Sequence, residues 1–149
     1  MNYIKIQQEV LKTNIKAIEN KTFGRKWKYG CMDNEIGLID PLGYYMILIP
    51  VDKFYLDLKI FDMTPVKIKP MFDVDTTPAT KTNVFRMSND GKTTLVEFKI
   101  SDDAMVYVDA KLLKQFDSCN TFRGRDGHSP IFCYEDDKLC GMILPFYLK

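Results

Sequence analysis

The spacing of apolar positions changes repeatedly along the chain, and each change marks an element. Tyr3-Ile4-Lys5-Ile6 alternates and predicts a short strand over 3–6. From residue 7 to about 20 the period lengthens to that of a helix. Val10, Leu11, Ile15 and Ile18 share one side, with Glu9, Lys12, Lys16 and Glu19 opposite. This predicts an amphipathic helix that buries the first set and stops in Lys21-Thr22-Phe23-Gly24, with the glycine as the break. Two strands follow, over 35–40 and 44–49, around the turn residues Pro41-Leu42-Gly43. The second is nearly all apolar, so both of its faces are expected to be covered. Pro50 ends it, and Asp52 is placed to cap a short helix over 53–60, although Tyr55-Leu56-Asp57-Leu58 is also compatible with strand.

Further on, Val66-Lys67-Ile68-Lys69 alternates as a strand does, while 73–82, DVDTTPATKT, reads as an exposed loop. Strands over 83–87 and 94–100 flank Ser88-Asn89-Asp90-Gly91-Lys92, where Asp-Gly points to a type I′ hairpin turn. A strand over 105–108 leads to Asp109, which can cap a helix over 110–116. A polar loop over 117–129 follows. Strands over 131–134 and 139–144 then form a hairpin around Glu135-Asp136-Asp137-Lys138. The predicted fold is α+β, an antiparallel sheet with two or three short helices, in one domain over 1–149.

Composition narrows the function classes. The chain has 149 residues, 46% apolar and 28% charged, the profile of a globular protein. Lys plus Arg is 21 and Asp plus Glu 20, a formal charge of +1, which excludes avid non-specific binding to nucleic acid. Any DNA binding is expected to be weak and strongly salt-dependent. No apolar run approaches the roughly 20 residues that span a bilayer, and MNYIKIQQEV lacks the apolar core of a signal peptide, so a cytoplasmic location is expected. Cys31, Cys119, Cys133 and Cys140 form no C-x-x-C pair and are expected to be reduced and partly buried.

Candidate chemistry is sparse, and no cofactor, metal or catalytic set is expected. His128, the single histidine, lies with Arg123, Arg125 and Asp126 in a glycine-containing loop. An Asp126–His128 acid–base pair acting on Cys119 or Cys133 would need a geometry that a two-residue spacing does not supply; a solvated loop histidine is the plainer reading. Arg25-Lys26-Trp27-Lys28 is the sharpest basic–aromatic cluster and the candidate nucleic-acid contact. Its alternative is a pair of lysines running alongside a buried tryptophan. Asp73-Val74-Asp75 and Asp102-Asp103 lack the rest of a calcium loop, and no glycine-rich phosphate loop is present.

The two ends of the chain repeat one plan: strand, helix, polar loop, strand, turn, strand, proline. Met46-Ile47-Leu48-Ile49-Pro50 and Met142-Ile143-Leu144-Pro145 close the two copies, a repeat of about 50 residues. In this duplicated β-α-β-β plan, and in the passage Ile49-Pro50-Val51-Asp52-Lys53-Phe54, the chain resembles the DNA sliding clamps of the bacterial β-clamp type. The resemblance implies a protein-interaction module acting on DNA replication or processing machinery. It also implies self-association, since a ring needs six domains. Its contact surface would be the apolar segment beside the last strand, at Leu144, Pro145, Phe146 and Leu148. On this pattern Leu144 completes the core while Phe146 and Leu148 meet the partner. A Lys-, Asn-, Asp- and Ile-rich composition is compatible with a phage or mobile-element source. The competing class is a small inhibitor that blocks a nucleic-acid-targeting defence nuclease.

Overall fold

A computed structural model of the chain describes residues 1–148. The chain divides into two compact units, Asn2–Val74 and Asp75–Lys149, the latter also taking Met1. No helix among the described residues is long and apolar enough to cross a membrane.

The first unit opens with helix α1 (Tyr3–Glu19). The strand expected over 3–6 is its first turn. The Asn2 side chain accepts the Lys5 N–H at 3.0 Å, and this cap starts the helix four residues early. The stop also differs. Lys21, at φ +55°, takes the left-handed position, with Thr22 N bonded to the Ala17 carbonyl and Lys21 N to that of Ile18. This pair of bonds closes the helix before Gly24 is reached.

The helix turns an unexpected side inward. Gln7, Val10, Asn14 and Ala17 are buried, whereas Ile4, Leu11, Ile15 and Ile18 are exposed. Gln7 explains the choice. Its carboxamide donates to the carbonyls of Tyr3 and Lys53 and accepts the Tyr55 N–H at 2.7 Å. The main chain over 53–55 is thereby tied to α1, and the helix expected over 53–60 is absent. A single 3-10 turn, Val51–Lys53, stands in its place, without a cap from Asp52.

Three antiparallel strands follow α1: β1 (Lys28–Met32), β2 (Glu35–Ile39) and β3 (Tyr45–Pro50), with β2 in the middle. The β2 and β3 strands lie where the pattern put them, and Met46 to Ile49 are all buried. The Asp40 carboxylate shapes their turn by accepting the N–H groups of Leu42, Tyr44 and Tyr45. The β1 strand went unpredicted. The alternating stretch 66–69 forms no strand: Tyr29 bridges Pro65 in parallel, and a one-turn helix α2 (Lys69–Phe72) follows. Ile68 instead drops into a slot made by Gly30 and Gly37, which face each other across β1 and β2.

The second unit holds β4 (Thr77–Met87), β5 (Thr94–Ser101), β6 (Ala104–Asp109), helix α3 (Ala110–Leu113), β7 (Thr121–Gly124), β8 (Ile131–Glu135) and β9 (Lys138–Ile143). The strands are antiparallel in the order β9-β8-β7-β4-β5-β6. Asp109 caps α3 by accepting the Lys111 N–H, as its position predicted, and a 3-10 turn carries the coil on to Phe116. The loop expected over 73–82 is mostly strand: Thr77, Pro78 and Ala79 pair with β7, itself hidden in the expected polar loop. The β4–β5 connection is longer than a two-residue turn, running from Met87 to Thr94, and only Gly91 of Asp90-Gly91 has positive φ. Asp90 braces it through Ser88 and the Lys92 N–H.

The fold is thus α+β with antiparallel pairing in every strand ladder. Each unit runs from a helix into a three-stranded meander, but only the second has a strand (β6) in front of its helix. The glycine slot gives a direct test. A Cβ on Gly30 would meet the Val66 carbonyl oxygen at 2.5 Å and also strike Ile68, so the backbone must move. Gly30→Ala is expected to destabilise the protein by about 1–3 kcal/mol. Gly24→Ala, with open space around it, should stay within about 0.5 kcal/mol of the parent. Urea unfolding of the two variants side by side reads the difference.

Candidate protein-interaction site

The segment Leu144-Pro145-Phe146-Tyr147-Leu148 leaves β9 at Ile143. It adds no strand. Among the described residues one main-chain bond holds it, from Phe146 N to the Tyr107 carbonyl at 2.7 Å on β6, which has β5 on one side only. A second comes from the Tyr147 hydroxyl, which donates to the His128 carbonyl at 3.1 Å while the two rings lie 5.8 Å apart.

Tyr107, whose carbonyl receives this segment, also belongs to a polar network. Glu97 on β5 is buried, and its carboxylate accepts from the hydroxyls of Tyr107 at 2.8 Å and Thr82 at 2.9 Å. The Arg86 guanidinium sits 5.2 Å over the Tyr107 ring. Partial burial and the bond to Glu97 push the Tyr107 phenol above its ordinary range. A buried carboxylate with a hydroxyl donor on each oxygen holds its neighbours in place. Tyr107 is thus fixed at its ring while its carbonyl receives Phe146.

The segment itself carries large apolar side chains. Leu144 is 41% exposed, Phe146 37% and Tyr147 58%; Pro145 and Leu148 are half-buried. The expectation that Leu144 completes the core is therefore corrected: the last paired strand residue is Ile143, and Leu144 lies beyond it in the open.

The basic–aromatic cluster sits in the first unit and is dispersed by its own packing. Trp27 is 6% exposed, its ring edge-on to Tyr45 at 5.7 Å, and its main-chain N–H donates to the Asn14 side-chain oxygen. No face of its ring is free to stack on a base. The Lys26 ammonium donates to the carbonyls of Phe61 and Asp62. Arg25 and Lys28 alone remain exposed. Burial first, then the Asp40 carboxylate, pushes the Tyr45 phenol up to about 12.

Among the described residues, no carboxylate is hydrogen-bonded to the His128 ring. The Asp126 carboxylate accepts its main-chain N–H at 2.8 Å and the Ser129 hydroxyl at 2.9 Å, so the aspartate shapes the turn. Cys119, Cys133 and Cys140 are buried and Cys31 is exposed. The Cys119 and Cys140 thiols share a hydrogen bond that pushes the first up and holds the second down. Burial pushes Cys133 up. Among the described residues no cluster of His, Cys, Asp and Glu is placed to hold a metal ion.

Sequence reasoning missed Tyr107, Glu97 and Arg86. The available signal was Glu97 itself, a lone charge inside the apolar run Leu95-Val96-Glu97-Phe98.

The His128 N–H and then the Ser129 hydroxyl lower the Asp126 carboxyl below its ordinary 3.8. Its folded value lies under its unfolded one, so it supports the loop above pH 3.8 and loses that support as pH falls through the lowered value. A carbon-detected NMR titration should give an Asp126 midpoint below 3.8, and Ser129→Ala should move it upward. The chain matches no protein-family model, no curated protein and no solved structure.

Proposed function

We propose that the chain is a protein-interaction module that resembles a sliding-clamp domain, acts on DNA replication or processing machinery, and meets its partner through residues 144–148. The observation that carries this reading is the exposure of Leu144, Phe146 and Tyr147 on a segment that hydrogen bonds to Tyr107 and His128 hold in place. Large apolar side chains kept in water at defined positions mark contact surfaces. The clamp likeness draws support from the plan shared by the two units, a helix followed by a three-stranded meander whose closing hairpin runs into a proline, Pro50 or Pro145. DNA contributes at most weak, salt-dependent binding through Arg25 and Lys28, because Lys26 is engaged and Trp27 is buried.

Alanine variants at Phe146 and Leu144 test this. Each is expected to lower stability by about 1 kcal/mol or less, against about 3–5 kcal/mol for truncating a buried phenylalanine. The Phe146 variant should lose the partner recovered by pull-down from the source cell. Recovery of polymerase machinery supports the replication reading; recovery of a defence nuclease moves the module to the inhibitor class. A loss of 3–5 kcal/mol at Phe146, with partner binding lost only in proportion to unfolding, removes the contact surface.

A further inference from the structure

Helix α1 carries a second apolar stripe, which the fold leaves part-exposed. Ile4, Leu11 and Ile18 recur every seven residues, with Ile15 four after Leu11, and all four are between 38% and 51% exposed. Leu11 and Ile15, with Gln8, Lys12, Lys16 and Glu19, line a shallow open groove along the helix. A seven-residue apolar repeat is the spacing by which one helix seats against another. The buried face of the same helix is distinct from it, formed by Gln7, Val10, Asn14 and Ala17.

The charges beside the stripe say what covers it. Lys12 and Glu19 form no ion pair within the described residues. Suppose a second copy of α1 runs antiparallel across the stripe, with Ile15 on the two-fold axis. Leu11 then faces Ile18 of the second copy, and Lys12 faces its Glu19. The symmetry makes each contact twice. A parallel pairing would set Lys12 against the opposite flank of the stripe, which carries Gln7 and Asn14 and offers no carboxylate. We infer that the Leu11–Ile15–Ile18 part of the α1 stripe is a homodimer interface, closed antiparallel by two Lys12–Glu19 pairs. This inference is independent of the contact surface at residues 144–148, and dimerisation and partner capture are read separately.

Sedimentation equilibrium of the full chain over a concentration series tests it. The parent protein is expected to show a reversible monomer–dimer equilibrium. Ile15→Glu should leave only monomer. Lys12→Glu and Glu19→Lys should each weaken the dimer about tenfold at low salt, since each turns two attractions into repulsions. The double reversal should return it close to the parent value. All substituted side chains are exposed, and a circular-dichroism melt checks that each variant folds; should Ile15→Glu unfold, the two charge reversals and their combination decide. A parent chain that is monomeric throughout overturns the inference, as does a dimer indifferent to these substitutions. Monomers that bind anionic phospholipid vesicles and lose that binding on Ile15→Glu would also overturn it, assigning the stripe to a lipid surface.

Discussion

Three hydrogen bonds to the Gln7 carboxamide decide which side of α1 faces inward. The chain after β3 is irregular, and irregular backbone brings N–H and C=O groups against the protein with no ladder to satisfy them. A buried main-chain group without a partner costs about 1–3 kcal/mol, comparable with the gain from burying one large apolar side chain. Gln7 supplies a donor and an acceptor at once, reaching the Lys53 carbonyl and the Tyr55 N–H. Asn14, two turns on, accepts the Trp27 main-chain N–H, while its own Nδ2 is buried with no partner among the described residues. Burying these two amides orients the helix, and the orientation leaves Leu11, Ile15 and Ile18 in water. The exposed stripe is therefore a consequence of polar satisfaction inside the unit and of the choice of amides at positions 7 and 14.

The second unit meets the same requirement from its sheet. Glu97 is buried within an apolar strand, where an isolated carboxylate would be costly. The hydroxyls of Thr82 and Tyr107 come to it from the strands on either side. The β4 bulge between Lys81 and Phe85, with Asn83 at φ +65°, lies beside Thr82. In both units, buried polar groups fix the position of main chain that carries exposed apolar side chains: the start of α1 in one, and the Tyr107 carbonyl under residues 144–148 in the other.

The elements legible in the sequence are those whose signals are local. The β2–β3 and β8–β9 hairpins, the strands β5 and β6 and the Asp109-capped helix follow from alternation, turn residues and a cap, all within a few positions. The failures are cases where a distant partner decides. Residues 53–55 are held by Gln7, 46 and 48 positions away for the two bonds. Val66 and Ile68 alternate as in a strand, yet Ile68 is claimed by Gly30 and Gly37, whose missing Cβ atoms make room for it. Thr77 to Ala79 look like loop because Pro78 and threonines dilute the apolar pattern, and the pairing with β7 that makes them strand lies more than 40 residues on. Of the candidate site, the apolar segment after Pro145 was readable as a unit. The network joined to it through Tyr107 was not, because Thr82, Glu97 and Tyr107 converge only through strand pairing.

The two exposed apolar surfaces differ in how much order they hold before any partner arrives. Helix α1 is capped at its start by Asn2 and closed at its end by the left-handed Lys21, so the stripe is presented on a fixed backbone. Covering it orders side chains only. Residues 144–148 lie outside the strands, held among the described residues by one main-chain bond and one phenol bond. A partner that orders them further gives up part of its contact energy to that ordering, roughly 0.5–1.5 kcal/mol for each immobilised side chain. At equal apolar area the helix stripe therefore retains more net binding free energy than the segment. A persistent contact is better served by the stripe and an exchangeable one by the segment. That ordering follows from backbone rigidity alone and does not depend on the identity of either occupant.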